Sequence, residues 1–158
     1  MTSREEVARA LAFFDASDDI VLLHQLIAEA APRARRLVGT YLASGTEEGI
    51  PGPADLRAAR QLATREEALA TLRHTDDFAL FQVLARAIGR RIETIEIAAS
   101  AEFPEGVRVV VPERAVFPPP RRAVPGTVEQ TGTTLRVLLD NGETWEGPPS
   151  LARLERAS

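Results

Sequence analysis

The pattern of apolar residues changes near residue 100, and this change constrains the fold more than any other feature. Before it, apolar side chains recur every three or four residues, as they do from Phe78 to Ile95. After it, β-branched segments such as Val107-Arg-Val-Val-Val111 alternate with glycine and proline turns. The first pattern is typical of helices packed on one face, and the second of short strands. We therefore predict an α+β chain with an α-helical domain at 1–100 and a small β domain at 101–158.

Capping residues mark where the helices begin. Ser3-x-x-Glu6 and Thr64-x-x-Glu67 have the spacing of capping boxes, in which two side chains satisfy the free N–H groups of the first turn. The apolar stripe between residues 23 and 41 keeps its phase across Pro32, which favours one kinked helix over two helices. With a further short helix at 53–62, the region is predicted to form a bundle of about four to five helices.

Three segments of the β domain share a pattern with a known fold. They are Glu105-Gly-Val-Arg-Val109, Pro125-Gly-Thr-Val128, and Leu135 to Gly142 leading into Thr144-Trp145. Together they resemble an SH3-like small barrel of the KOW, Tudor or CarD-like kind, over about residues 105–154. The resemblance implies a C-terminal SH3-like small β-barrel with a hairpin at Asp140-Asn-Gly142. It implies binding to nucleic acid, RNA polymerase or a peptide tail without selecting among them, because small barrels host many activities.

Composition excludes several classes of function. The chain has no cysteine, so disulfides and thiolate sites are absent. Residues 1–100 and 101–158 are each slightly acidic, without the basic excess of a typical nucleic-acid-binding domain. Charged residues interrupt every long apolar stretch, so no membrane span is predicted, and the acidic N-terminus predicts a cytoplasmic protein. All basic residues are arginine, which a GC-rich bacterial genome or selection against a modifiable amine would explain.

His74, Asp76 and Asp77 form the cluster with the most obvious catalytic chemistry. Carboxylates beside an imidazole can orient a general base or hold a metal ion. The simpler interpretation is helix capping, since the two acids precede the long apolar stripe. No phosphate-binding loop, nucleophile elbow or zinc-protease motif is present. The sequence therefore predicts no cofactor, and a metal-dependent enzyme centred on this cluster remains an alternative.

The segment Phe117-Pro-Pro-Pro-Arg-Arg122 is the main candidate for partner binding. Polyproline segments are pre-ordered for recognition, and a neighbouring arginine adds charge. With Trp145, the only tryptophan, the predicted partner-binding residues are Phe117, Pro119, Arg121, Arg122 and Trp145. The competing interpretation makes the segment a rigid loop and Trp145 a core residue.

These observations lead to three hypotheses. The first is a non-enzymatic adaptor of unknown pathway that binds another protein, with the helical domain as a scaffold or homo-oligomer surface. The second is a nucleic-acid-associated regulator that uses Arg108, Arg121, Arg122 and Arg136. It requires these arginines to share one barrel face free of carboxylates. The third is the metal-dependent enzyme.

Overall fold

The chain folds into helices followed by an antiparallel sheet, in an α+β architecture. The computed structural model describes residues 4–44 and 63–156. Its contacts divide the chain into two compact units, Met1–Arg91 and Ile92–Ser158. The helices in the described residues are α1 Arg4–Ala16, α2 Ile20–Ser44, α3 Arg65–His74 and α4 Phe78–Ser100. The strands are β1 Arg108–Pro112, β2 Ala123–Gln130, β3 Leu135–Leu139, β4 Thr144–Gly147 and β5 Arg153–Leu154, with a 3-10 turn at Pro149–Leu151 before the last strand.

The capping signal at Thr64 can be compared with the structure, whereas Ser3 lies outside the described residues. The Thr64 hydroxyl accepts a hydrogen bond from the Glu67 N–H at 3.2 Å and caps α3, as the capping box predicts. Helix α2 continues through Pro32 as one helix, which confirms the prediction drawn from the unbroken apolar phase. The short helix predicted at 53–62 lies outside the described residues. In the described residues, none of the helices has the length and apolar character needed to cross a membrane.

The apolar stripes of the helices meet inside the first unit. Val7, Leu11 and Phe14 of α1 are buried, as are Leu23 and Leu26 of α2. Within the long stripe of α4, the side chains of Phe81, Leu84 and Ile88 are at most 1% exposed. These three residues are therefore used in packing within the chain, whereas Ile97 on the same helix is 51% exposed, and the homo-oligomer that the stripe suggested stays a prediction.

Arg33 of α2 links three elements of the first unit. Its Nη1 donates to the Leu72 carbonyl at 2.5 Å and its Nη2 donates to the Thr75 carbonyl at 2.6 Å. Its guanidinium carbon lies 5.1 Å from the ring centroid of Phe81, a cation–π distance. Burial lowers the pKa of Arg33, but a guanidinium stays protonated in proteins. One charged side chain thus satisfies carbonyls at the end of α3 that have no partner within that helix.

Replacing Arg33 should destabilise the helical unit. We expect Arg33→Met to lower its free energy of unfolding by about 2 kcal/mol, because two charge-assisted hydrogen bonds are lost. Arg33→Lys should recover part of this, since an ammonium cannot reach both carbonyls with the planar fork of a guanidinium. Far-ultraviolet circular dichroism during thermal unfolding measures the change. Arg36→Met on the same helix is the control, and equal losses in Arg33→Met and Arg36→Met would contradict the assigned role.

The second unit is built on a five-stranded antiparallel sheet. Its strand order is β4-β3-β2-β1-β5, so β1 to β4 form a meander and β5 returns to pair with β1. Alternate residues of β3 point inward, with Leu135, Val137 and Leu139 buried and Arg136 and Leu138 exposed. The core is formed by Phe103, Val109, Val111, Val128, Leu135, Val137, Leu139 and Trp145. The structure confirms the strands predicted from β-branched runs and the turn at Asp140-Asn-Gly142. The sheet is open, with β4 and β5 at its edges.

The end of α4 belongs to the sheet unit, where it carries a buried carboxylate. Glu96 is 2% exposed. Its Oε1 accepts a hydrogen bond from the Ser150 N–H, and its Oε2 accepts one from the Ser150 hydroxyl, both at 2.7 Å. Packing divides the chain between Arg91 and Ile92. The change from a helical to a strand pattern of apolar residues comes later, near residue 100.

Candidate functional site

The loop of residues 113–122 joins β1 to β2 and is closed at its base. The Glu113 N–H donates to the Arg122 carbonyl at 3.0 Å, one step beyond the last ladder pair of Pro112 and Ala123. Within the loop, the Val116 N–H donates to the Arg114 carbonyl at 3.0 Å. The peptide bond between Phe117 and Pro118 is cis. We call residues 113–122 the β1–β2 loop.

A contact with the sheet core holds the β1–β2 loop. Ala115 packs against the apolar core. A Cβ placed on Gly147, at the end of β4, would lie 2.6 Å from the Ala115 Cβ and 2.8 Å from the Trp145 ring. Only a residue without a side chain leaves room for both groups, so Gly147 allows the loop to approach β4.

The outer part of the loop combines apolar and cationic side chains. Val116 is 44% exposed, and Pro118 and Pro119 are also exposed. The side chains of Arg114, Arg121 and Arg122 are exposed, and none of the three forms an ion pair with another described residue. The loop therefore presents three arginines without an ion pair to a described residue, and with the single carboxylate of Glu113 its net charge is +2.

Arg108 and Arg136 have a different environment. The Nη1 and Nη2 atoms of Arg108 donate to the two carboxylate oxygens of Asp140 at 2.6 and 2.7 Å, and its Nε donates to Glu155 at 2.8 Å. These hydrogen bonds raise the pKa of Arg108, and they lower the pKa of Asp140. Arg136 donates to Glu146 at 2.9 Å. The carboxylate-free face required by the nucleic-acid hypothesis is therefore not formed by these two arginines.

Trp145 is part of the core. It is 5% exposed and faces the inner side of the sheet, opposite Val137 of β3. Its indole N–H has no hydrogen-bond partner. A side chain buried to this extent offers little surface to a partner, so Trp145 is a core residue of the sheet unit. The predicted partner-binding residues Phe117, Pro119, Arg121 and Arg122 do lie together in the β1–β2 loop, with Phe117 half-buried.

The cluster of His74, Asp76 and Asp77 lies between α3 and α4. Asp77 Oδ1 accepts a hydrogen bond from the Leu80 N–H at 3.1 Å, which makes Asp77 a helix cap. His74 is exposed and lines a groove of about 520 Å³ together with Glu6, Arg9 and Glu67. Arg9 and Glu67 pair at 2.9 Å. Within residues 4–44 and 63–156, no group of three His, Asp or Glu side chains is arranged to hold a metal ion.

The predicted site residues did not include several residues of the loop region, among them Arg114, Ala115, Val116 and Gly147. A signal for Arg114 was available in the sequence. Pairing the two predicted strands that flank residues 112–123 places Arg114 in the same loop as Arg121 and Arg122. Ala115 and Gly147 had no comparable signal, because their proximity depends on the packing of β4. No protein-family model, curated protein or solved structure matches the chain.

Proposed function

We propose that this protein is a non-enzymatic interaction protein whose sheet unit binds another protein through the β1–β2 loop. One observation carries the proposal: an anchored loop exposes Val116 and prolines beside three arginines that have no ion-pair partner among the described residues. Ordered loops lose little conformational entropy on binding, which favours recognition. The helical unit provides a scaffold.

The sheet unit is, in this proposal, an SH3-like small barrel. Five short antiparallel strands support this assignment, with a meander of four strands and a fifth strand that returns to β1 after a 3-10 turn. Gly126 on β2 supports it as well, because small barrels bend their strands where a glycine permits close approach. The β1–β2 loop is then the longest connection of the barrel and its main variable surface.

A nucleic-acid-associated regulator is the second candidate. The unpaired side chains of Arg121 and Arg122 favour it, since phosphate binding requires accessible cations. The carboxylates paired with Arg108 and Arg136 oppose it, as does the net charge of −4. For this reason we place protein binding first.

Charge reversal in the loop should abolish partner capture. We expect the full chain, immobilised and exposed to an extract of its host cells, to retain specific proteins that an Arg121→Glu/Arg122→Glu variant loses by tenfold or more. Like charges placed across an interface cost several kcal/mol, and about 1.4 kcal/mol is a tenfold change. Quantitative mass spectrometry of the retained proteins measures the difference.

Arg86→Glu is the matched control for this experiment. Arg86 is exposed on α4 in the helical unit and forms no ion pair with a described residue, so the charge change is the same per site. Trp145 fluorescence verifies that the sheet unit of each variant is folded. If the loop variant retains the same proteins as the Arg86→Glu variant, the loop is not the binding surface and the proposal is wrong.

A further inference from the structure

We infer that the β1–β2 loop recognises an acidic protein segment, in which Asp or Glu residues flank an apolar side chain. This inference rests on the proposed function and specifies the chemistry of the partner. It follows from the charges of the loop, from its exposed apolar residues and from the partial burial of its one aromatic ring, Phe117.

Charge complementarity selects an acidic ligand. Arg114, Arg121 and Arg122 lie within nine residues of one another in the sequence, and the hydrogen bond from Glu113 to Arg122 brings the two limbs of the loop together. An arginine without a carboxylate partner can bind a carboxylate in a bidentate manner. A short acidic segment would compensate all three guanidinium groups at once.

The remaining charges of the sheet unit disfavour a polyanion such as DNA or RNA. A nucleic acid needs a basic track long enough to replace several counterions. Here Arg108 is bound by Asp140 and Glu155, and Arg136 is bound by Glu146. Arg153 and Arg156 of the sheet unit are exposed as well, but Arg108 and Arg136 are not available for a basic track, and three arginines without a described ion-pair partner lie in the short β1–β2 loop.

The apolar surface of the loop points to a protein as well. Val116 is 44% exposed, and Pro118 and Pro119 are exposed beside it. Sequence-tolerant binding of single strands uses exposed aromatic rings on which bases stack. In the described sheet unit, Trp145 is 5% exposed and Phe117 is half-buried, so neither offers an open ring face. The loop therefore offers an aliphatic and proline surface next to guanidinium groups. This surface suits a ligand in which an apolar side chain lies between carboxylates.

Selection from a random peptide library displayed on phage, with the full chain as bait, tests the inference. We expect the selected peptides to be enriched in Asp and Glu around an apolar residue. Binding of a fluorescein-labelled copy of the most enriched peptide, measured by anisotropy, should weaken about tenfold in an Arg114→Gln/Arg121→Gln/Arg122→Gln variant, since exposed ion pairs contribute up to about a factor of five each. The lysine triple variant should retain part of the affinity, and Arg86→Gln should retain all of it.

Several results would overturn the inference. Selected peptides without acidic enrichment would do so, and if their binding still required Val116, tested as Val116→Ser, the proposed function would stand with a different partner chemistry. Labelled single- or double-stranded DNA is the second probe. If it binds as tightly as the selected peptide, and if this binding is lost in the glutamine triple variant, the loop is a nucleic-acid site. A library that yields no loop-dependent peptide would also reject an acidic segment, whereas loop-independent capture from the host extract would reject the proposed function itself.

Discussion

Gly126→Ala is expected to destabilise the sheet unit by about 3 kcal/mol, the upper end of the usual cost of overpacking. A Cβ on Gly126 would lie 2.6 Å from the Cγ1 of Val137 and 2.7 Å from the carbonyl oxygen of Leu138. It would also lie 3.1 Å from the Leu139 Cα. Two of these atoms belong to the backbone of β3, which pairs with β2 at this position. The clash can be relieved only by moving one strand away from the other.

Trp145 makes this prediction measurable. It is the only tryptophan and lies in the core of the sheet unit, so its fluorescence during urea unfolding follows that unit. Gly132→Ala is the matched control, because the nearest atom to its Cβ would be the Thr134 carbonyl oxygen at 3.9 Å. We expect Gly132→Ala to be neutral within about 0.5 kcal/mol. A Gly126→Ala variant as stable as the control would show that β2 and β3 do not approach so closely.

Glu96→Ala is expected to cost about 3 kcal/mol in the same unit. The substitution leaves the N–H and the hydroxyl of Ser150 without the acceptor that each of them has, and a donor deprived of its partner costs about 1–3 kcal/mol. It also leaves a space where a side chain only 2% exposed was packed. Glu96→Gln should cost less, about 1 kcal/mol, because an amide oxygen can accept from the N–H while the amide nitrogen donates to the hydroxyl oxygen.

The same fluorescence measurement tests Glu96. Glu93→Ala, three residues earlier on α4 and exposed, is the control and should change stability by less than about 0.5 kcal/mol. Combining Glu96→Ala with Ser150→Ala should cost less than the sum of the two single variants, since both remove the same hydrogen bond. Additive costs, or equal costs for Glu96→Ala and Glu93→Ala, would rule out the interaction as an anchor of α4.

Much of the architecture could be predicted because its signals are local. The capping box at Thr64, the uninterrupted phase across Pro32 and the Asp140-Asn-Gly142 turn each depend on residues within a few positions of one another. The periodicity of apolar residues predicted the buried faces of α1 and α4, because burial on one side of a helix repeats with its turn.

The candidate site could be predicted only in part. The proline and arginine composition of residues 117–122 identified the loop, because that composition by itself excludes helix and central strand. Trp145 was grouped with the same surface, although it is buried under Gly147. The sequence also grouped Arg108 and Arg136 with Arg121 and Arg122, although the first two are bound to carboxylates.

The amino-acid sequence alone determined the order of the elements, the inward faces of the helices and strands, and the position of the cationic loop. The tertiary structure decided which charges remain available. Arg108 and Asp140 are 32 residues apart in the chain, and Glu96 and Ser150 are 54 apart. Capping and periodicity arise from neighbours along the chain, whereas the compensation of a charge depends on whichever residues the fold brings within about 3 Å. Folding therefore leaves Arg114, Arg121 and Arg122 exposed for a partner while it neutralises arginines of the same unit that the sequence could not distinguish from them.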